Sequence, residues 1–330
     1  MNIVYNCNDA FAVHTAVSIA SLFDNNKAAD CIDVYILANG VSEENALKFE
    51  TLAKDFDTAG KPRRIRLISL ENYAEVLKLA FGGDIDTAGF NITVLARIFA
   101  PQHLPDKVER YIYLDADTVV LQDITKLWET KLQGSICGMA AEPTIYAETK
   151  EQIGFAEDEP YYNSGMLLVD RLRWEEEGIS AACIDCFGTF GRQGLKFPDQ
   201  DILNIALKGR IKPVSQRWNF FSNYHYRSYK SLTDEAPWFK TEVSESDYED
   251  ARRSPSVVHF AGAERPWLSG NHNPYRDSYD KYLALTPWRG NKRQGGRELE
   301  MQLYHVMNVI TKACPGVRRF ISKLYIKSRL

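Results

Sequence analysis

Tyr111-Ile112-Tyr113-Leu114-Asp115-Ala116-Asp117-Thr118-Val119-Val120-Leu121 reads as a buried strand whose tip carries two carboxylates. Residues two apart in an extended chain point to the same side, which predicts Asp115 and Asp117 as neighbours. Like charges held that close raise each other's pKa unless a cation sits between them. Paired oxygen donors suit Mg²⁺ or Mn²⁺, metals that usually arrive with a substrate phosphate. The stretch therefore predicts a metal–diphosphate site at the carboxyl end of an α/β strand.

The preceding residues supply the rest of such a sheet. Ile3-Val4-Tyr5 is a short apolar strand, and His14 to Leu22 follows with helical spacing. Ile32 to Leu37 is a second strand, and Ser42-Glu43-Glu44 caps a helix running to about Phe56. Arg64 to Leu70 and Val108 to Leu114 read as further strands. This alternation predicts a largely parallel sheet covered on both faces, with ligands at the carboxyl ends of strands near a topological switch point. Asn6-Cys7-Asn8 and Asp115-Ala116-Asp117 both fall at such ends. Further on, Pro160 to Asp170 reads as a loop and small-residue turn leading into a strand at Met166–Val169. Residues 174–190 read as one helix, and Asp199 to Leu207 as another begun after Pro198. From Trp218 to Trp267 the pattern is aromatic and irregular, as expected of substrate-handling loops.

Composition agrees with a globular α/β protein: 330 residues, 45% hydrophobic and 12% aromatic. The net charge of −4 hides an asymmetry. Residues 281–330 hold eleven Lys and Arg against Glu298 and Glu300, a net of +9, which leaves −13 on the first 280. A basic tail on an acidic body predicts an anionic membrane surface as the tail's partner and argues against nucleic acid. Met1-Asn2-Ile3-Val4-Tyr5-Asn6 lacks the features of a secretory signal, and no apolar run has the length of a transmembrane helix. Six scattered cysteines fit a reducing cytoplasm, with Cys183 and Cys186 read as small residues on one helix face.

Four more segments bear chemistry, each with a plain alternative. In Tyr162-Asn163-Ser164-Gly165 the glycine would let backbone approach a ligand, and Asn163 offers a donor and an acceptor, though a simple tight turn reads equally well. Asp199, Gln200 and Asp201, in Pro198-Asp199-Gln200-Asp201-Ile202-Leu203-Asn204, could be ordinary first-turn residues of a helix. In Val257-Val258-His259-Phe260-Ala261-Gly262-Ala263-Glu264-Arg265-Pro266-Trp267, His259 could complete a metal's coordination. Gly262 would leave room for phosphates and Arg265 would neutralise them. Arg97, in the apolar stretch Thr93-Val94-Leu95-Ala96-Arg97, either snorkels to water or reaches a ligand anion.

Taken in order, these segments resemble glycosyltransferase family 8, and within it the bacterial α-galactosyl- and α-glucosyltransferases of lipopolysaccharide or lipooligosaccharide. The resemblance runs from Met1 to about Trp267 through N-x-N, the Arg before the acidic pair, L-D-A-D, Y-N-S-G, P-D-Q-D-I-L-N, R-W-N-F and H-F-A-G-A-E-R-P-W. A D-x-D-x-T/V after an apolar strand also opens phosphatases of the haloacid dehalogenase type. There it should begin the domain rather than follow more than a hundred residues of α/β structure.

The resemblance implies a GT-A-type α/β fold, with a Rossmann-like mixed central sheet flanked by helices, over residues 1–285. A basic linker and amphipathic tail would follow over 286–330. It implies Mn²⁺ (or Mg²⁺) on Asp115, Asp117 and His259, bridging the phosphates of UDP-galactose or UDP-glucose, with Ala116, Gly165, Gly262 and Arg265 around the donor. The turn Asn6-Cys7-Asn8 would cradle uracil and ribose; Asn8 stands where relatives often carry Asp, and Arg265 where they often carry Lys. Arg97, Asn163, Asp199 and Gln200 would surround the hexose. Transfer would retain configuration, with Gln200 at the anomeric carbon, and with Asp199 or Asp201 as a nucleophile in the competing double displacement. The acceptor would be a saccharide or glycolipid. The protein would be cytoplasmic, peripheral on the inner membrane face through the basic amphipathic run Val317–Lys327. Two other functions remain open at this point, a self-glucosylating glycogenin-like primer using Tyr224, Tyr226 or Tyr229, and a non-catalytic UDP-sugar-binding protein.

Overall fold

The computed structural model describes residues 1–83, 91–190, 195–314 and 316–317. Ten strands occur in chain order among them: β1 (Asn2–Asn8), β2 (Ile32–Asn39), β3 (Arg63–Ser69), β4 (Arg110–Leu114), β5 (Thr118–Val120), β6 (Cys137–Ala141), β7 (Tyr162–Asp170), β8 (Ile211–Val214), β9 (Phe220–Phe221) and β10 (Val257–His259). Seven form one sheet in the order β3-β2-β1-β4-β7-β6-β8. β1 is parallel to both β2 and β4, and β2 to β3, while β7 runs against its neighbours β4 and β6. The sheet is buried on both faces. Val4, Tyr35 and Leu37 belong to one core cluster, and Ile3, Tyr5, Val34 and Ile36 to the other, as alternation along a covered strand requires.

Helix α1 (Ala12–Asn25) and helix α2 (Glu43–Phe56) follow β1 and β2. Ser42 caps α2, its Oγ accepting from Asn45 N at 3.3 Å. The carboxyl ends of β1 and β4 lie side by side where the strand order turns back, and this is the crevice α/β sheets offer to ligands. A small second sheet, β5-β10-β9, brings His259 opposite Thr118 and Phe221.

Several elements differ from the sequence-based expectation. Asn6-Cys7-Asn8 is the end of β1, paired with Leu37, Ala38 and Asn39, and not a turn. Tyr162–Gly165 likewise belongs to a strand, because β6 pairs with Tyr162 and Asn163 while Asp115 N donates to Gly165 O at 2.8 Å. The helix expected over 174–190 is two, Arg171–Glu176 and Ile179–Phe190, broken where Gly178 takes φ +63°. Cys183 is buried on the second, Cys186 is half-buried, and all six cysteines are free thiols.

The aromatic stretch from Trp218 to Trp267 is ordered. Its short helices Tyr229–Glu235, Phe239–Glu242 and Glu245–Arg253 pack Tyr229, Phe239 and Tyr248 at centroid separations of 6.0–6.1 Å. Residues 286–297 run along the body. Trp288 packs 5.1 Å from Phe49, and Gln294 N donates to Trp267 O at 2.8 Å. Helix Glu298–Ala313 then docks through Met301, Asn308 and Thr311. No helix among the described residues is long and apolar enough to cross a membrane. Most of the basic run expected as a membrane anchor, residues 318–330, lies outside the described residues.

Candidate active site

β4 stops at Leu114, and Asp115 N continues its pairing by donating to Gly165 O at 2.8 Å. The chain then turns into β5, with Thr118 Oγ1 donating to Asp115 O at 2.8 Å. Asp115 and Asp117 thus sit in the turn beyond the strand, and they meet through His259. Its Nε2 lies 3.2 Å from Asp117 Oδ1 and 3.8 Å from Asp115 Oδ2. One donor atom from each of the three residues lies within 4.8 Å of the others.

The electrostatics of this cluster are divided. Burial is the largest influence on Asp115 and raises its pKa despite Arg97 and His259. Burial also works to raise Asp117, but His259 and then Arg265 outweigh it and hold that carboxyl well below the usual range. For His259, burial opposes charge and the two carboxylates overcome it, so its pKa is raised. Two carboxylates and an imidazole, enclosed and convergent, make a donor set that fits a hard divalent cation such as Mn²⁺.

Arg97 does not snorkel. It sits at 6% exposure in the 3₁₀ helix Ile92–Phe99, with Nη2 2.8 Å from Asp115 Oδ1 and Nε 3.2 Å from Asp199 Oδ2. Nη1 donates to Ser164 O at 2.9 Å, and the guanidinium lies 4.7 Å from the Tyr113 ring centroid. Tyr113 OH in turn donates to Asp115 Oδ1 at 3.0 Å. The residue expected beside the hexose therefore links the Asp115–Asp117–His259 cluster to the start of the helix Pro198–Ala206.

That helix presents Asp199 and Gln200 to β7. Asp199 Oδ2 accepts from Ser164 Oγ at 2.9 Å. Gln200 Oε1 accepts from Asn163 Nδ2 at 2.6 Å and from Ser164 N at 3.2 Å, and its Nε2 donates to Tyr161 OH at 3.1 Å. Asp201 requires a correction. At 0% exposure its Oδ1 accepts from Tyr161 OH at 2.5 Å and its Oδ2 from Phe197 N at 2.9 Å. Both oxygens are engaged and burial pushes its pKa up to about 6, so Asp201 anchors the helix and is closed to a substrate.

Gly165 is corrected as well. A Cβ there would stand 2.3 Å from His259 Cε1, so the space it leaves is filled by the imidazole and not by a ligand. Cys7, at 1% exposure, points into the core and can offer a ligand only its backbone. Asn6 Nδ2 donates to Thr93 O at 2.5 Å, while its Oδ1 is buried without a partner. Asn8 caps the 3₁₀ turn Asp9–Phe11, accepting from Phe11 N at 3.1 Å. Gly262 takes φ +102°, a conformation that favours glycine. Arg265 reaches within 4.0 Å of Asp117 Oδ2 and lies over Trp267. Ala116 is buried between the two acids in the chain.

Four members of the site had no assigned role in the sequence reading: Glu142, Asn219, Ser164 and Tyr113. Glu142 Oε2 accepts from Asn163 Nδ2 at 2.9 Å, and its burial raises its pKa. An acid directly after the apolar run Cys137–Ala141 was the available signal for it. Asn219 bridges Asn163 and His259, and its only sequence mark was its place in R-W-N-F.

Residues 2–270 match the profile of Glycosyl transferase family 8. General stress protein A of Bacillus subtilis is 27% identical over 290 residues, covering 87% of this chain and 94% of the relative. Lipopolysaccharide 1,2-glucosyltransferase of Escherichia coli K12 is 22% identical over 340 residues, covering 98% and 92%. The crystal structure of the galactosyltransferase LgtC with donor and acceptor sugar analogues superposes with a TM-score of 0.70 at 23% identity, covering 88% of this chain and 99% of that one. The shared fold is GT-A. The chain belongs to glycosyltransferase family 8 and is a sugar-transferring enzyme.

Proposed function

We propose that the protein transfers galactose or glucose, with retention of configuration, from a UDP-sugar to a saccharide or glycolipid acceptor. The convergence of Asp115, Asp117 and His259 at the β1/β4 switch point, beside Asp199 and Gln200, carries this reading. Asp115, Asp117 and His259 would hold Mn²⁺ (or Mg²⁺), which when bound neutralises charge on a departing diphosphate without supplying a proton. Arg265 adds a cation from the loop beyond β10. The unpartnered Asn6 Oδ1 is an acceptor suited to an N–H or O–H of the nucleoside.

Double displacement needs a free carboxylate beside the anomeric carbon. Asp201 is enclosed, and Asp199 is engaged by Arg97 and Ser164, which supports front-face transfer. In that reaction the acceptor oxygen bonds to C1, the C1–O bond to the diphosphate breaks, and the acceptor proton passes to the departing oxygen. Gln200, held by Asn163, Ser164 and Tyr161, would stand against the positive charge developing on the sugar. A glycogenin-like primer gains less support: Tyr224 is buried and Tyr229 OH donates to Val243 O at 2.7 Å, which leaves the half-buried Tyr226 of the three candidates.

The test is UDP release from UDP-galactose, UDP-glucose and their N-acetyl counterparts, with Mn²⁺ and with chelator. Slow Mn²⁺-dependent release from one donor is expected and names the sugar. No release from any donor, together with no calorimetric binding of UDP and Mn²⁺, would sink the proposal.

Peripheral attachment to the inner membrane face belongs to the same reading. Helix Glu298–Ala313 turns Leu299, Leu303, Val306 and Val309 to solvent at 50–71% exposure, and a Lys- and Arg-rich stretch follows it in the sequence. An apolar stripe beside cations is what an anionic lipid surface binds. Removing residues 312–330 is expected to release the protein from anionic liposomes while UDP release persists; undiminished liposome binding would refute attachment through the tail.

A further inference from the structure

We infer that Asn219 is a positioning residue: it fixes which nitrogen of His259 faces the carboxylate pair and ties that histidine to the Gln200 amide. This rests on reading Asp115, Asp117 and His259 as a cation site.

Two backbone N–H groups set the polarity of the network, because a backbone N–H can only donate. Gly165 N meets an Asn163 side-chain atom at 2.8 Å, so that atom is Oδ1. Asn163 therefore turns Nδ2 toward Glu142 Oε2 and Gln200. Ser164 N meets the same Gln200 atom at 3.2 Å, which makes it Oε1. In the other direction, Asn163 Oδ1 lies 2.7 Å from an amide atom of Asn219, which must then be Nδ2. The remaining Asn219 atom, Oδ1, lies 3.0 Å from His259 Nδ1 and can only accept. His259 thus donates from Nδ1 and points Nε2 at Asp117 and Asp115. Amide and imidazole orientations are ordinarily a matter of choice, but here two backbone groups decide them.

Among the described residues, Asn219 Oδ1 is the atom that His259 Nδ1 meets. Asn219 is 2% exposed, so water has little access to replace it. Phe221 meets the His259 ring edge-on at 5.2 Å, and Gly165 lies against the ring's Cε1. The donors run in one direction from His259 through Asn219, Asn163, Gln200 and Tyr161 to Asp201. The imidazole and the Gln200 amide are thereby held in one continuous run of hydrogen bonds.

Calorimetric Mn²⁺ titration of the full chain near neutral pH, without nucleotide, tests this on Asn219→Leu and Asn219→Asp. Leu removes the acceptor and is expected to weaken Mn²⁺ binding roughly 10–100-fold, the usual effect of losing a ligand's outer partner. Asp keeps an acceptor for Nδ1–H but cannot donate to Asn163. It is expected to hold Mn²⁺ within about fivefold of wild type while UDP release falls about tenfold or more. Histidine ¹⁵N spectra of the Mg²⁺-loaded protein should give the Nδ1–H tautomer for wild type and the Asp variant. Wild-type binding matched within about twofold by a folded Leu variant overturns the inference and leaves the cation site standing. A wild type that binds no Mn²⁺ even with UDP present overturns both. Should the Leu variant not fold, an Asp variant that loses Mn²⁺ as heavily as predicted for Leu overturns the inference.

Discussion

At Gly165 the absent side chain makes room for His259, since a Cβ would lie 2.3 Å from Cε1 and 2.7 Å from Nδ1 of the imidazole. Asn163 Oδ1, at 2.9 Å from the same point, closes the other side. Gly165→Ala should therefore displace the histidine while leaving β7 intact. The expected result is Mn²⁺ binding weaker by roughly 10–100-fold with near-native circular dichroism, read by calorimetry and spectroscopy. Unchanged Mn²⁺ affinity would mean that His259 is no part of the site. The sequence marked this glycine as a place where a ligand approaches the backbone, and His259 occupies that place instead. It could not say that the approaching group was an imidazole on a strand nearly a hundred residues later, because nothing local to Tyr162–Gly165 encodes that contact.

Among the elements, the helix Pro198–Ala206 acts as a stand-in strand beside β7. Asn204 Oδ1 accepts from Tyr162 N at 2.9 Å and its Nδ2 donates to Tyr162 O at 2.8 Å, while Gln200 Oε1 receives Ser164 N. Side chains thereby satisfy backbone groups that a neighbouring strand would otherwise take. Asn204→Leu keeps the volume and leaves the Tyr162 N–H and C=O buried and unpaired. The expected cost is about 2–6 kcal/mol in urea unfolding, from roughly 1–3 kcal/mol for each of the two orphaned groups. Activity should fall further than stability alone explains, since Gln200 rides on the same helix. A loss below about 0.5 kcal/mol would show that water or a shift of the strand replaces both bonds. The helix itself was legible from Pro198 and its first-turn acids. Its contact with Tyr162–Gly165 was not, because those residues read as a turn and a turn needs no partner.

For the whole molecule, His14 joins the amino-terminal half to the segment beyond β10. Its ring stacks on Trp267 at 4.0 Å and its Nδ1 lies 2.7 Å from Tyr279 OH. Burial lowers its pKa from 6.5 to about 4. The folded protein keeps His14 neutral until about pH 4, whereas the unfolded chain takes up its proton near 6.5. Stability from this residue is therefore complete above pH 6.5 and is lost as pH falls toward 4. Over that window wild type should lose about 3 kcal/mol more than His14→Gln in denaturant titrations. Equal slopes would mean the imidazole is not held neutral.

The same division runs through the chain. Strands β1 to β4, helices α1 and α2 and the Ser42 cap follow from the sequence alone, because periodicity and capping act over a few residues. The order of the motifs likewise carries the family. The partners were decided only in three dimensions: Asp201 shut away behind Tyr161, Arg97 held between Asp115 and Asp199, and His259 turned by Asn219. Burial and hydrogen-bond polarity are properties of surfaces brought together by folding, and no stretch of chain contains both sides of them.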